Sequence, residues 1–141
     1  RLVDRLPAFR QYRGYDTSPH FVDMAIETHH INKRCSFEVR DIFGPWNHRT
    51  PVDVLICVHV ARHYDYPLEV LRRAVEWPAK AYILSALHGP EHTQLLNGVC
   101  LSTEELNTFL AETEGLSMVA AVEQGDAGGM QVRYWSYRRI E

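Results

Sequence analysis

The chain has 141 residues, 45% hydrophobic and 23% charged, and carries a formal net charge of -3, the size and balance of one ordinary globular domain. No apolar run approaches the ~20 residues that cross a bilayer, no apolar leader of the signal type is visible in the first residues, and scattered basic residues argue against a nucleic-acid surface. Cys35, Cys57 and Cys100 are odd in number and widely spaced, so neither a disulfide framework nor a cysteine zinc site is indicated, and a cytoplasmic location is expected.

In chain order, Leu2, Val3 and Leu6 suit the last turns of a helix that Pro7 breaks. A short β-prone run, Gln11 to Tyr15, follows and ends at Asp16. Ser18 and Pro19 then give a helix start, an N-cap followed by Pro at the first helical position. That helix is expected to run to about His29, with Phe21, Val22, Ala25 and Ile26 on its apolar face. Asp16 is the first functional candidate. An acid at the carboxyl end of a parallel strand faces the crevice where doubly wound sheets bind nucleotides, and a carboxylate can accept from both ribose hydroxyls. The competing role is a helix cap.

After a polar connector, Phe37 and Val39 alternate with Glu38 and Arg40, giving a second strand that also ends in an acid, Asp41. Gly44 to Asn47 reads as a turn. Val52 to Val58 is the most apolar run, and its β-branched content suits a central parallel strand buried on both faces. Tyr66 to Val75 has helical spacing and stops before Pro78. Ala81 to Ser85 is a further buried strand, and Gly89 to Gly98 is expected to be a loop.

Ser102-Thr103-Glu104-Glu105 is a capping-box pattern opening a helix with Leu106, Phe109 and Leu110 inward, stopped near Gly115. Met118 to Val122 and Met130 to Tyr137 are β-prone runs joined by a Gly-rich connection of hairpin type. The fold class that results is α/β: a Rossmann-like mixed sheet, mostly parallel, with a C-terminal antiparallel hairpin and helices on both faces, in a single domain over 1–141.

This order of elements resembles the class I S-adenosylmethionine-dependent methyltransferases, of the small single-domain, small-molecule type. Gly14-Tyr15-Asp16-Thr17-Ser18-Pro19 is similar to that family's second-strand motif, and Phe37-Glu38-Val39-Arg40-Asp41-Ile42 to its third. Val52 through His63 is similar to the fourth-strand motif, and Leu101 through Leu106 to the helix start before the closing hairpin. The resemblance implies S-adenosylmethionine as cofactor, with Asp16 on the ribose hydroxyls and Asp41 on the adenine amino group. It implies a pocket lined by Asp16, Thr17 and Phe21 on one side and Asp41, Ile42, Val58 and His59 on the other. The acceptor is expected to be a small molecule, and no metal is called for.

The family's first strand and Gly-rich loop are not found before the Leu2, Val3 and Leu6 segment, so the domain is expected to be truncated at its N-terminus by ~25 residues or more. That strand is central in the family, between the Asp16 and Val52 to Val58 strands. The 141-residue chain is accordingly expected to bind the cofactor no tighter than ~100 μM. The same departure keeps open a degenerate, non-catalytic domain of this fold serving as an interaction module. A nicotinamide-binding oxidoreductase is a third reading, since an acid after the second strand serves ribose there too.

Methyl transfer is an in-line displacement that depends mainly on positioning, sometimes with a general base. His63 is the first candidate for a base and His59 the second, both just past the Val52 to Val58 strand. His88 and His92 are expected in the following loop, near the same mouth. Surface or capping roles compete with each of these histidines. His59 and His63 have the spacing of a helical zinc pair, but no Glu follows His59 and no third ligand is evident.

Overall fold

The computed structural model describes residues 8–46, 50–96, 98–113, 115–125 and 130–140. The expected helix end at Leu2, Val3 and Leu6 lies outside them, as does the tip of the C-terminal connection. The described residues fall into two compact units that divide after Pro45.

The first unit is a strand-helix-strand element: β1 (Tyr12–Asp16), α1 (Pro19–His29) and β2 (Cys35–Val39), with β1 and β2 parallel and Asp16 in register with Val39. Ser18 caps α1 as its sequence dictates, accepting from the Phe21 N–H at 3.4 Å, and Pro19 follows in the first turn. Phe37 packs its ring beside Tyr12 and His29, with centroids 5.9 and 5.6 Å away. Of the expected apolar face of α1, Val22 is buried, whereas Phe21 and Ile26 are exposed. A two-stranded sheet is too narrow to cover a wide stripe on an 11-residue helix.

The second unit is built around β4 (Ala79–Gly89). β3 (Val52–Cys57) lies parallel to its first half, β6 (Gly98–Ser102) lies parallel to its last two residues, and β8 (Gln131–Arg139) runs antiparallel along it. β5 (Thr93–Leu95) pairs antiparallel with β6, and β7 (Leu116–Gly125) antiparallel with β8. Between β3 and β4 come a single 3-10 turn, Ala61–His63, and α2 (Pro67–Val75); α3 (Thr103–Glu112) joins β6 to β7.

Two expectations are corrected here. The core strand is β4, not the Val52 to Val58 run: residues 84–89 are all buried, while Val54 in β3 is half-exposed. β4 has strands along both edges, whereas β3 pairs only with β4 among the described residues. Second, Gly89 to Gly98 is not simply a loop, because it contains β5 and leads into β6.

The two helices of this unit bury faces set by their spacing: Val70, Leu71 and Ala74 from α2, and Leu106 and Phe109 from α3. These join Tyr82, Leu84, Trp135 and Tyr137 among the buried side chains of the unit. The Tyr82 hydroxyl donates to the Trp77 carbonyl and accepts from Arg139, both at 2.5 Å, so a buried phenol is satisfied at each end. The capping box of α3 forms in full, Ser102 Oγ accepting from Glu105 N at 3.1 Å and Glu105 Oε2 from Ser102 N at 2.7 Å. Among the described residues no helix is long and apolar enough to cross a membrane.

Candidate functional site

The carboxyl ends of β1 and β2 lie side by side, and the Arg40 N–H donates to the Asp16 carbonyl at 2.9 Å. Two exposed acids result, Asp16 at the end of β1 and Asp41 two residues past the end of β2. Each makes the same local turn: Asp16 Oδ1 accepts from Ser18 N at 2.8 Å, and Asp41 Oδ1 accepts from Phe43 N at 2.9 Å. The cap of α1 is Ser18, so Asp16 shapes the approach to the helix rather than capping it. For Asp16, one turn bond does not exhaust a carboxylate, which has about four lone-pair positions. Thr17 and Phe21 are exposed beside Asp16, and Ile42 is half-buried beside Asp41. Two acids at adjacent strand ends, followed by a helix start and an exposed aromatic ring, set hydrogen-bond acceptors close to a flat apolar surface.

Val58 and His59 belong to the second unit, just past β3. His59 has a φ of 60°, and no other non-glycine among the described residues has a positive φ. For a histidine this is an uncommon conformation, costing on the order of 1–3 kcal/mol and held only by what surrounds it. Two bonds hold it here. Its backbone N–H donates to Ser85 Oγ at 2.8 Å, and its ring Nε2 lies 2.8 Å from the Tyr134 hydroxyl. Ser85 is buried in β4 and pairs in register with Tyr134 in β8. Neither Ser85 nor Tyr134 is marked in the sequence, because only the pairing of β4 with β8 brings them beneath His59.

His63 ends the 3-10 turn and is exposed. It lines an open cleft of about 560 Å³ with Tyr64 and Asp65, walled opposite by Gln94, Leu96, Gly98 and Val99 of the β5–β6 hairpin. The unit therefore sets His59 against Tyr134 and His63 against the hairpin.

His88 and His92 are not together in a loop. His92 pairs with Glu105 at 3.0 Å. Burial alone would raise the Glu105 carboxyl, but the Ser102 backbone bond and His92 outweigh it and hold the group below its ordinary value. His88 lies inside β4, 2% exposed. Thr103 gives its hydroxyl proton to the Gly89 carbonyl at 2.8 Å, so toward His88 Nδ1, 3.1 Å away, it accepts. Nδ1 therefore carries the proton. Nε2 is buried without a hydrogen-bond partner among the described residues, 3.9 Å from Glu123. Cys57 is buried, and that burial pushes its thiol up to about 11, disfavouring the thiolate.

Burial pushes the His88 imidazole below its ordinary value; Arg133 acts in the same direction and Glu123 against it. The unfolded ring therefore binds its proton more readily than the folded one. Stability contributed by the neutral ring is present above the unfolded value of ~6.5 and is lost as pH falls below it, until the folded ring titrates. His88→Gln is expected to flatten the fall of the thermal midpoint as pH drops below ~6.5. Parallel curves for the two proteins would assign the loss to other groups.

No protein-family model matches the chain, and no curated protein matches it. Solved structures do. The chain is similar to the N-terminal domain of EvdMO1, determined in the presence of SAH and D-fucose, at a TM-score of 0.73 and 13% identity over 96% of this chain and 68% of that one. It is similar to magnesium protoporphyrin IX methyltransferase (ChlM) from Synechocystis PCC 6803, determined with bound SAM, at 0.68 and 16% identity over 92% and 59%. It is similar as well to the [4+2]-cyclase SpnF, at 0.71 and 11% identity over 92% and 67%. The fold is therefore the class I methyltransferase fold. A cyclase on the same fold makes plain that fold alone does not fix the reaction.

Proposed function

We propose that this chain is a single S-adenosylmethionine-dependent methyltransferase domain acting on a small-molecule acceptor. The observation that carries the reading is the pair of exposed carboxylates, Asp16 and Asp41, at adjacent parallel strand ends of a class I methyltransferase fold. Asp16 would take the ribose hydroxyls and Asp41 the adenine amino group. Thr17, Phe21 and Ile42 would flank the nucleoside, Phe21 offering a ring that is 60% exposed. The bound cofactor supplies a methyl on a sulfonium, and the protein supplies orientation and exclusion of water.

Titration of the protein with S-adenosylmethionine, followed by NMR so that millimolar binding is still read, tests this. Asp16→Ala is expected to weaken binding by ~1.5–3 kcal/mol, the scale of hydrogen bonds to a charged group. Equal affinity in the variant and the parent would remove Asp16 from the site. The absence of any binding to the parent would remove the cofactor.

A further inference from the structure

The His59–Tyr134 pair carries an inference about the acceptor, which rests on the methyltransferase reading above. A phenol is the better proton donor of the two groups and a bare imidazole nitrogen the better acceptor, so in the 2.8 Å bond Tyr134 donates to His59 Nε2. The proton of the neutral ring is then on Nδ1. The Tyr134 oxygen keeps its own lone pairs, and the side chain is partly open to solvent. A strained backbone at His59, anchored by a buried serine, fixes this arrangement beside the carboxyl end of β3. Ligands of open α/β sheets collect outside such strand ends.

We infer that Tyr134 and His59 form a proton relay serving a hydroxyl acceptor, with Tyr134 as the group that touches it. The acceptor O–H gives its proton to Tyr134 Oη while Tyr134 passes its own to His59 Nε2, and the imidazole becomes an imidazolium. The bound cofactor would supply the methyl to the acceptor oxygen, its sulfur keeping the bonding pair. His59, exposed, then returns the proton to water. The chemistry selects the class of acceptor. A neutral hydroxyl is a weak nucleophile that needs its proton drawn off as it attacks, whereas a neutral amine attacks with its lone pair and sheds a proton afterwards.

The test has a ligand-free arm and a turnover arm. Long-range ¹⁵N–¹H NMR of the histidines is expected to show His59 as the Nδ1–H tautomer in the parent, and a shift toward Nε2–H in Tyr134→Phe. With phenols and aliphatic alcohols as acceptors, Tyr134→Phe is expected to lower kcat by ~10²-fold or more while S-adenosylmethionine affinity stays within ~2-fold of the parent. The Nε2–H tautomer in the parent, or a tautomer that Tyr134→Phe leaves unchanged, overturns the relay. So does equal turnover in the two proteins, or transfer by a cofactor-binding parent to amines or thiols but to no hydroxyl. A parent that binds no S-adenosylmethionine overturns the methyltransferase reading instead, and the tautomer arm still judges the pair.

Discussion

Trp135→Ala is expected to cost ~3–5 kcal/mol, the range for truncating a large buried aromatic side chain. The indole is 2% exposed and sits in β8 with Leu84 of β4 on one side in register and Ala121 of β7 on the other. Its loss opens a cavity in the middle strand of the three, and β4 and β7 cannot close on it without giving up the ladders that flank it. Against a net stability of ~5–15 kcal/mol for a typical domain, the variant is left marginal or unfolded near room temperature. Trp135→Phe separates packing from polarity. The indole N–H is buried and has no hydrogen-bond partner among the described residues, so replacing it with a phenyl ring gives up volume but no bond. Its loss is expected to be the smaller by a wide margin. Urea midpoints at unchanged m measure both. An alanine variant within ~1 kcal/mol of the parent would show that β8 contributes far less to the core than its burial indicates.

Gly98→Ala is the second large effect, and it reaches the candidate site. At Gly98, φ is +150°, and an added Cβ would lie 2.3 Å from the Arg62 carbonyl oxygen. Backbone atoms cannot swing aside as a side-chain tip can, so either the start of β6 or the turn holding Arg62 and His63 must shift. Strain of ~1–3 kcal/mol from the dihedral alone adds to that displacement. Gly115→Ala is the matched control: φ is +70°, but nothing lies within 4 Å of its Cβ position, so only the dihedral term applies. Gly98→Ala is expected to be clearly the more destabilising of the two and to move the NMR signals of His63 and Tyr64 in the cleft; Gly115→Ala should leave them in place. Equal losses, with an unmoved cleft, would mean the β5–β6 hairpin does not press on the 3-10 turn.

The start of α1 at Ser18-Pro19 and the capping box of α3 are legible because each depends on chemistry within one turn of chain. The C-terminal hairpin is legible for the same reason, two β-prone runs joined by glycines. The β5–β6 hairpin is not legible, because β5 has only three residues and no periodicity to read. Apolar content points to Val52 to Val58 as the core strand, but centrality is set by how many neighbours a strand has. Leu84-Ser85-Ala86-Leu87-His88-Gly89, less apolar than β3, becomes the interior of the sheet because β3, β6 and β8 all pair with β4.

The same division holds at the site. Asp16 and Asp41 stand out in the sequence because an acid at the end of a strand is a local feature, and the parallel pairing of β1 with β2 sets the strand ends that lead into them side by side. The histidines show the opposite case. Four of them, His59, His63, His88 and His92, are all expected near one mouth from their places along the chain, and only the tertiary structure gives them different surroundings. It buries His88 in β4, joins His92 to the cap of α3, sets His63 on a cleft, and binds His59 to a tyrosine 75 residues away. Caps, turns and strand-end acids are fixed by bonds between residues a few positions apart, which the sequence by itself determines. The burial and partners of a histidine depend on strand registers that close over long stretches of chain, and those are decided only when the whole sheet packs.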